Sequence, residues 1–395
     1  MDALSQLLSL SESEKAARGI VHTPAEIAQQ PDTWLSTFQL FKSRLPEIRE
    51  FLKAAGLGAE FVKRATVFLI GAGTSDYIGC SIANLLRQKW QCEVAAVPST
   101  DLLTHRDSLT IPGSKYLWIS FSRSGDSPEG VAVLEDACAN RPDIHHLIVT
   151  CNVDGKMFRE SASTPRRLAI CLDDAVNDRG LAMTSSFSNM AVFGQCLANA
   201  ADPHAYESIL NRLVQAGRSL LPTAADCTKS LADEQFKKAC FVGSGPLREA
   251  ARECALKLLE LTAGKVLTMS ESALGLRHGP MAALDHDTLF VCLLSGDLRV
   301  QEYERDLLQE IGRKHLVRTR IVVAGAGAPA KGSYAEHMVA PSSVFGIPDE
   351  YRPVLDVMFG QLLGLFSSLK LNLKPDCPSP TGAISRVVQN VTIHS

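Results

Sequence analysis

The sequence predicts an α/β protein made of two tandem copies of one unit, each a mainly parallel sheet sandwiched by helices. Three observations predict it. Short apolar runs alternate with amphipathic helical stretches, such as 127–140 and 300–315, which is the pattern of βαβ units. Four features of that pattern recur in the same order at nearly the same offset. The length of 395 residues exceeds what one domain of about 150 residues holds.

The repeat can be followed element by element. Thr66–Ser75 reads TVFLIGAGTS, an apolar strand run into a Gly-x-Gly turn, and Ala239–Leu247 reads ACFVGSGPL, with Gly71 and Gly243 172 residues apart. Leu117–Asp126 (LWISFSRSGD) is matched by Phe290–Asp297 (FVCLLSGD), with Ser124 and Ser295 171 apart. Leu147–Thr150 is matched by Ile321–Ala324, with Ile148 and Ile321 173 apart. The triplets Phe193-Gly194-Gln195 and Phe359-Gly360-Gln361 both lie in helical patterns, offset by 166. A period this long means a duplicated domain and not a solenoid. Ahead of both copies, Thr23-Pro24-Ala25-Glu26 reads as a capping box with Pro in the first turn. Pro31 is expected to end that short helix, and Asp32 to cap a longer one running toward Leu52. The stretch 201–237 is helical and bridges the copies. The expected organisation is a helical segment over 1–48, a first copy over 49–205, a second over 206–370 and a Pro- and Ser-rich tail over 371–395 that closes the site.

Composition excludes several functions. Lys+Arg is 40 and Asp+Glu 43, for a net charge of −3, so no electrostatic reason points to nucleic acid or an anionic membrane as partner. No run approaches the roughly 18 apolar residues of a membrane span. The start, MDALSQLLSLSESEK, lacks a basic n-region and an apolar core. A soluble, cytoplasmic protein is expected. The 11 cysteines are odd in number, lack any Cys-x-x-Cys pair and often sit in apolar runs; they read as reduced, buried side chains. No metal-ligand cluster is visible, and neither a metal nor another cofactor is expected.

Copy one carries hydroxyl-rich loops. GAGTS follows a strand and opens a helix, but Asp76 occupies the third glycine position of a dinucleotide fingerprint, which therefore fails. Gly73, Thr74 and Ser75 instead fall at a helix start, where backbone N–H groups and hydroxyls donate to an anion. Ser122, Ser124 and Ser127 form a second loop with Arg123 and Gly125. A plain helix N-cap would account for Ser127 alone. The cluster as a whole suits the phosphate of a phosphomonoester. Thr184, Ser185 and Ser186 are further candidate hydroxyls.

Copy two has Leu293-Leu294-Ser295-Gly296-Asp297 in place of that loop and gains charge on its first helix. Glu253, Lys257 and Glu260 fall within an arc of about 60° at about 100° per residue. A solvated Glu–Lys pair is the ordinary explanation. The apolar neighbours place these residues against the sheet instead, and the sequence reading sets them at the strand carboxyl end as candidate acid–base groups. His278, in the turn Leu276-Arg277-His278-Gly279-Pro280, is the histidine best placed to enter a cleft. His145, His146 and His286 read as structural.

GAGTS, SFSRSGDSPE, ECALKLLE and LRHGP resemble the signature segments of sugar isomerase (SIS) domains, in the order found in the tandem-SIS half of glucosamine-6-phosphate synthase. HTPAEIAQQPDTW, GAGTSDYIG, AMTSSFS, ALKLLELTAGK, LRHGPMAALD and the tail from Pro378 to Ile393 are similar to the galactosamine-6-phosphate deaminase/isomerase family, also known as tagatose-6-phosphate ketose/aldose isomerases. The resemblance spans nearly the whole chain. It implies that Ser75, Ser122, Ser124 and Ser127 hold a sugar 6-phosphate, assisted by the Arg123 backbone. Glu260 matches the glutamate of C1–C2 proton transfer, and His278 the histidine of ring opening. Glu253 and Lys257 match their charged partners. Gly73, Thr74, Thr184, Ser186 and Arg386 are weaker substrate-binding candidates. The synthase also forms a Schiff base through a lysine near its C-terminus. Here the counterpart is Arg386 or Gln389, and an arginine that stays protonated forms no such imine. Position 2 is Asp, so the N-terminal Cys of a glutaminase is missing, and release of free ammonia is the natural direction.

The reading is deaminating isomerisation of galactosamine 6-phosphate to tagatose 6-phosphate and ammonia, by a homodimer with sites near the interface. Two alternatives stay open. One is a glucosamine-6-phosphate deaminase or a non-deaminating ketose/aldose isomerase. The other is a non-catalytic sugar-phosphate sensor, which needs the phosphate loops but not the acid–base set.

Overall fold

In the computed structural model, ten strands among the described residues form two five-stranded sheets, with every pairing parallel. The structure describes residues 1–58, 64–161, 164, 166–325, 334–341, 346–388 and 391–394; Gln389 lies outside the described residues. Helices α1 (Ala3–Leu8), α2 (Glu12–Arg18), α3 (Thr23–Ala28) and α4 (Gln30–Leu52) come first. The first sheet region holds β1 (Thr66–Gly71), α5 (Thr74–Trp90), β2 (Val94–Pro98), α6 (Ser99–Leu109), β3 (Tyr116–Ser122), α7 (Pro128–Asn140), β4 (His145–Thr150), α8 (Lys156–Arg159) and β5 (Arg167–Cys171). Helices α9 (Ser185–Ala198) and α10 (Pro203–Asp233) lead onward. The second region holds β6 (Lys238–Gly243), α11 (Pro246–Leu261), β7 (Leu267–Ser272), β8 (Thr288–Leu294), α12 (Leu298–Arg313), β9 (Thr319–Ala324), β10 (His337–Val339) and α13 (Pro353–Lys370).

The duplication is exact in topology. The sheets run β2-β1-β3-β4-β5 and β7-β6-β8-β9-β10, the same order in each copy. Strand register repeats too: Ser120 pairs with Ile148 in one sheet and Val291 with Ile321 in the other. So does the first turn, where Gly73 (φ 56, ψ −127) and Gly245 (φ 56, ψ −128) adopt a conformation closed to most other residues. In each sheet the strand order reverses beside the first strand of the copy. The loops after β1 and β3, and after β6 and β8, therefore leave side by side at the carboxyl edge, where such sheets bind ligands.

Both β3 and β8 are buried at all seven positions, as central strands covered on both faces must be. Phe68, Ile70, Trp118 and Val133 pack in the first core, and Phe290, Cys292, Leu307 and Ile311 in the second. Contacts divide the chain into two compact units: Met1–Asp32, Arg179–Thr184 and Ser208–Ala383, around the second sheet, and Thr33–Asp178, Ser185–Glu207 and Ile384–Ser395, around the first. The 11 cysteines are all free thiols; five are buried, and Cys377 is exposed. No described helix is long and apolar enough to cross a membrane.

Several local expectations are corrected. The Thr23 capping box is replaced by longer-range bonds. Helix α3 has no side-chain cap, the Thr23 hydroxyl donates to Asp376 Oδ1 at 2.7 Å, and Glu26 accepts the Arg179 and Gly180 N–H groups. Pro31 does not end a helix: α3 stops at Ala28, and Pro31 sits in the first turn of α4, where its missing N–H costs nothing. Asp32 therefore lies inside α4 and accepts from Arg218 Nε at 3.0 Å. Helix α12 starts at Leu298, two residues earlier than expected, because Asp297 caps it through the Arg299 and Val300 N–H groups.

Candidate active site

In the first-sheet unit, two loops stand at the carboxyl edge. The turn after β1 is tight: a Cβ on Gly71 would lie 2.3 Å from the Ser75 backbone, so only glycine lets α5 begin there. Thr74 and Ser75 occupy the first turn of α5 and are buried. The loop after β3 is ordered by its own hydroxyls. Ser122 Oγ accepts the Gly125 N–H at 3.1 Å, and Ser124 Oγ accepts the Asp126 N–H at 3.2 Å. Each hydroxyl still carries a hydrogen to donate. Gly125 (φ 67) packs on Gly155, where a Cβ would lie 2.4 Å from Ser124 O, and Asn152 Nδ2 donates to Ser124 O at 2.9 Å. Ser127 is the N-cap residue of α7 without a side-chain capping bond. The positive ends of α5 and α7 thus meet four serines, Ser75, Ser122, Ser124 and Ser127, a combination that favours an anion.

The tail is tied to the same unit. Arg386 Nε donates to Asp178 O and its Nη2 to Asn177 Oδ1, each at 2.7 Å. The buried Arg123 guanidinium donates to Arg386 O. Asp178 also accepts the N–H groups of Ser185 and Ser186, at 3.0 and 2.8 Å, and the Ser186 hydroxyl. Thr184 and Ser186 are wholly buried, and the Ser186 hydroxyl belongs to this cap of α9. Asp178 and Asn177 were missed in the sequence. Asp178 reaches partners 7 and 208 residues away, and no local spacing marks it.

In the second-sheet unit, Lys257 bridges two glutamates on α11, with Nζ 3.4 Å from Glu253 Oε1 and 2.6 Å from Glu260 Oε2. Lys257 and Glu253 are buried, while the Glu260 side chain keeps 24% exposure. Burial works against the lysine charge, but the two carboxylates hold its pKa above the ordinary value. Helix α13 presses on this stretch: a Cβ on Gly360 would lie 2.5 Å from Cys254 Cβ, and one on Gly364 3.0 Å from Lys257 O. The expected position at the strand carboxyl end is corrected. A helix that follows β6 runs back along the sheet, so Glu260, fourteen residues into α11, lies about 21 Å from its start at about 1.5 Å per residue. His278 is exposed, in the turn after the short helix Gly275–Arg277. Among the described residues no group of three or more His, Cys, Asp or Glu could hold a metal ion.

No protein-family model matches the chain, but individual relatives do. It is 34% identical to the D-galactosamine-6-phosphate deaminase AgaS of Escherichia coli, over 94% of this chain and 95% of that one. It is 31% identical to the protein of the same name from Shewanella sp., over 98% and 95%. Among solved structures, the tagatose-6-phosphate ketose/aldose isomerase from Escherichia coli superposes with a TM-score of 0.83 at 30% identity, over 94% of this chain and 96% of that one. The C-terminal domain of glucosamine-fructose-6-phosphate aminotransferase from Francisella tularensis shares the fold, with a TM-score of 0.72 at 17% identity, over 92% and 98%. Similarity of this extent along the whole chain, on two sheets of one topology, shows that the chain belongs to the AgaS family of tandem-SIS galactosamine-6-phosphate deaminases.

Proposed function

We propose that this protein deaminates and isomerises galactosamine 6-phosphate to tagatose 6-phosphate and ammonia, with water as the second reactant. The observation that carries this reading is the match to AgaS deaminases, which covers nearly all of both chains. The retained residues support it. The hydroxyls of Ser75, Ser122, Ser124 and Ser127, with the helix ends behind them, hold the phosphate. Binding at this remote group helps orient C1 and C2. His278 assists opening of the sugar ring. Glu260, the partly exposed member of its triad, removes the proton from C2 and returns it to C1. The intermediate between the two transfers is an enolamine, and the product is a ketimine at C2. Water adds to that carbon, the C–N bond breaks, and ammonia leaves as the ketone forms. The net change is hydrolysis of a C–N bond coupled to aldose–ketose isomerisation. Lys257 and Glu253 position Glu260. Arg386 holds the tail and forms no imine. The active form is a cytoplasmic homodimer.

Glu260→Gln tests the assignment. A positioned acid–base group contributes about 10²- to 10⁴-fold in rate, so kcat should fall by that range while affinity for a phosphate-bearing ligand stays near wild type. A near-wild-type rate in this variant would overturn the role of Glu260.

A further inference from the structure

The second copy keeps the loop that in the first copy carries Ser124, Gly125 and Asp126, here as Ser295, Gly296 and Asp297. Its local bonding is the same: Ser295 Oγ accepts the Asp297 N–H at 3.0 Å, as Ser124 Oγ accepts that of Asp126. One difference matters. In the first copy the glycine N–H is taken by the Ser122 hydroxyl, and Leu293 stands at that position in the second. There the Gly296 N–H donates to the carboxylate of Asp349, at 2.9 Å to Oδ1 and 3.1 Å to Oδ2. The Ser295 hydroxyl donates to Asp349 Oδ2 at 2.5 Å, and Arg352 Nη1 to Asp349 Oδ1 at 3.0 Å.

We infer that this loop is an anion site already filled by the protein's own Asp349 carboxylate, and that removing the carboxylate opens it to a free phosphate group. Three features fit an anion there. Arg352 is buried and remains held by Asp356 Oδ2 at 2.7 Å and by its own bond to Leu294 O. Its positive charge therefore stays in place when Asp349 is removed. Gly296 leaves the room the carboxylate uses, since a Cβ would lie 3.2 Å from Asp349 Oδ1. A cleft of about 480 Å³, lined by Ser244, Gly245, Ser295, Gly296, Asp349 and Arg352, opens beside the loop. Other carboxylates stand near the loop: Asp297 caps α12, Glu304 accepts the Ser295 N–H at 2.8 Å, and Glu350 lines the cleft. A carboxylate of the chain cannot diffuse away, so it excludes a second sugar phosphate from the duplicated fold. The inference rests on reading the first-copy loop as a phosphate site only for the analogy between the two.

The test counts inorganic phosphate bound per full-length chain by equilibrium dialysis. Asp349→Ala should bind one phosphate more than the wild type, and Ser295→Ala added to it should remove that extra one. Equal counts in the wild type and Asp349→Ala would overturn the inference. A wild type that binds none beside an Asp349→Ala that binds one would uphold it and sink the first-copy reading instead. A milder pair of variants covers the case in which Asp349→Ala fails to fold. Ser295→Ala should lower the urea midpoint of the wild type by more than it lowers that of Asp349→Asn, because the bond from Asp297 N–H to Ser295 Oγ is lost in both and the charge-assisted one to Asp349 only in the first. Equal losses in both backgrounds would contradict a seated Asp349.

Discussion

Lys257 shows what a single residue's spacing does and does not reveal. The i, i+4, i+7 pattern of Glu253, Lys257 and Glu260 places all three on one face of α11, and they form one bridged cluster. Their burial is less legible, because Gly360 and Gly364, which close over the stretch, are about a hundred residues away in the chain. His146 shows the same limit from the other side. It reads as a structural histidine, and it is buried against the edge of Trp118. Burial, with smaller contributions from Arg167 and His145, drives its pKa down to about 3. The unfolded chain therefore binds a proton below pH 6.5 that the folded protein refuses, and stability is lost as the pH falls from 6.5 toward 3. At about 1.4 kcal/mol per pH unit for one proton, His146→Leu should gain about 2 kcal/mol on the wild type between pH 6.5 and 5. Urea midpoints at the two pH values check this, and an unchanged difference would refute it.

At the scale of elements, the strand-turn-helix segments were plain because glycine and apolar runs mark them locally. The place of Glu260 was not, since the glycine turn marks where α11 starts and carries no sign of how far the helix then runs back along the sheet. The start of α4 is not legible, because a Pro such as Pro31 suits the first turn of a helix as well as the end of one. The repeated Phe-Gly-Gln triplet yields a paired prediction. A Cβ on Gly360 would meet Cys254 Cα at 2.6 Å, a backbone atom that cannot yield, whereas one on Gly194 would meet the tip of the Ile82 side chain. Overpacking of this kind costs about 1–3 kcal/mol. Gly360→Ala should therefore sit in that range and lower kcat by shifting α11, while Gly194→Ala costs less. Thermal midpoints and steady-state rates decide it, and equal losses at the two sites would contradict the account.

For the whole molecule, the duplication governs the interpretation. Both copies inherit one sheet order and one first turn, and their chemistry has since diverged. The first copy keeps serines at its carboxyl edge, and the second keeps a loop filled by Asp349 together with a helix that carries the Glu–Lys–Glu cluster. The duplication itself is legible from four recurring segments. The ties of the tail to Asn177 and Asp178 are not, for they join residues some two hundred positions apart. The homodimer is tested by light scattering coupled to sizing at assay concentrations. A dimer is expected, and a monomer with full activity would contradict it. The most direct measurement of the central claim is ammonia release from galactosamine 6-phosphate, run beside glucosamine 6-phosphate with the sugar product identified. The account predicts ammonia and tagatose 6-phosphate from the galacto substrate. Ammonia from the gluco substrate alone, or from neither despite measurable binding, would contradict it.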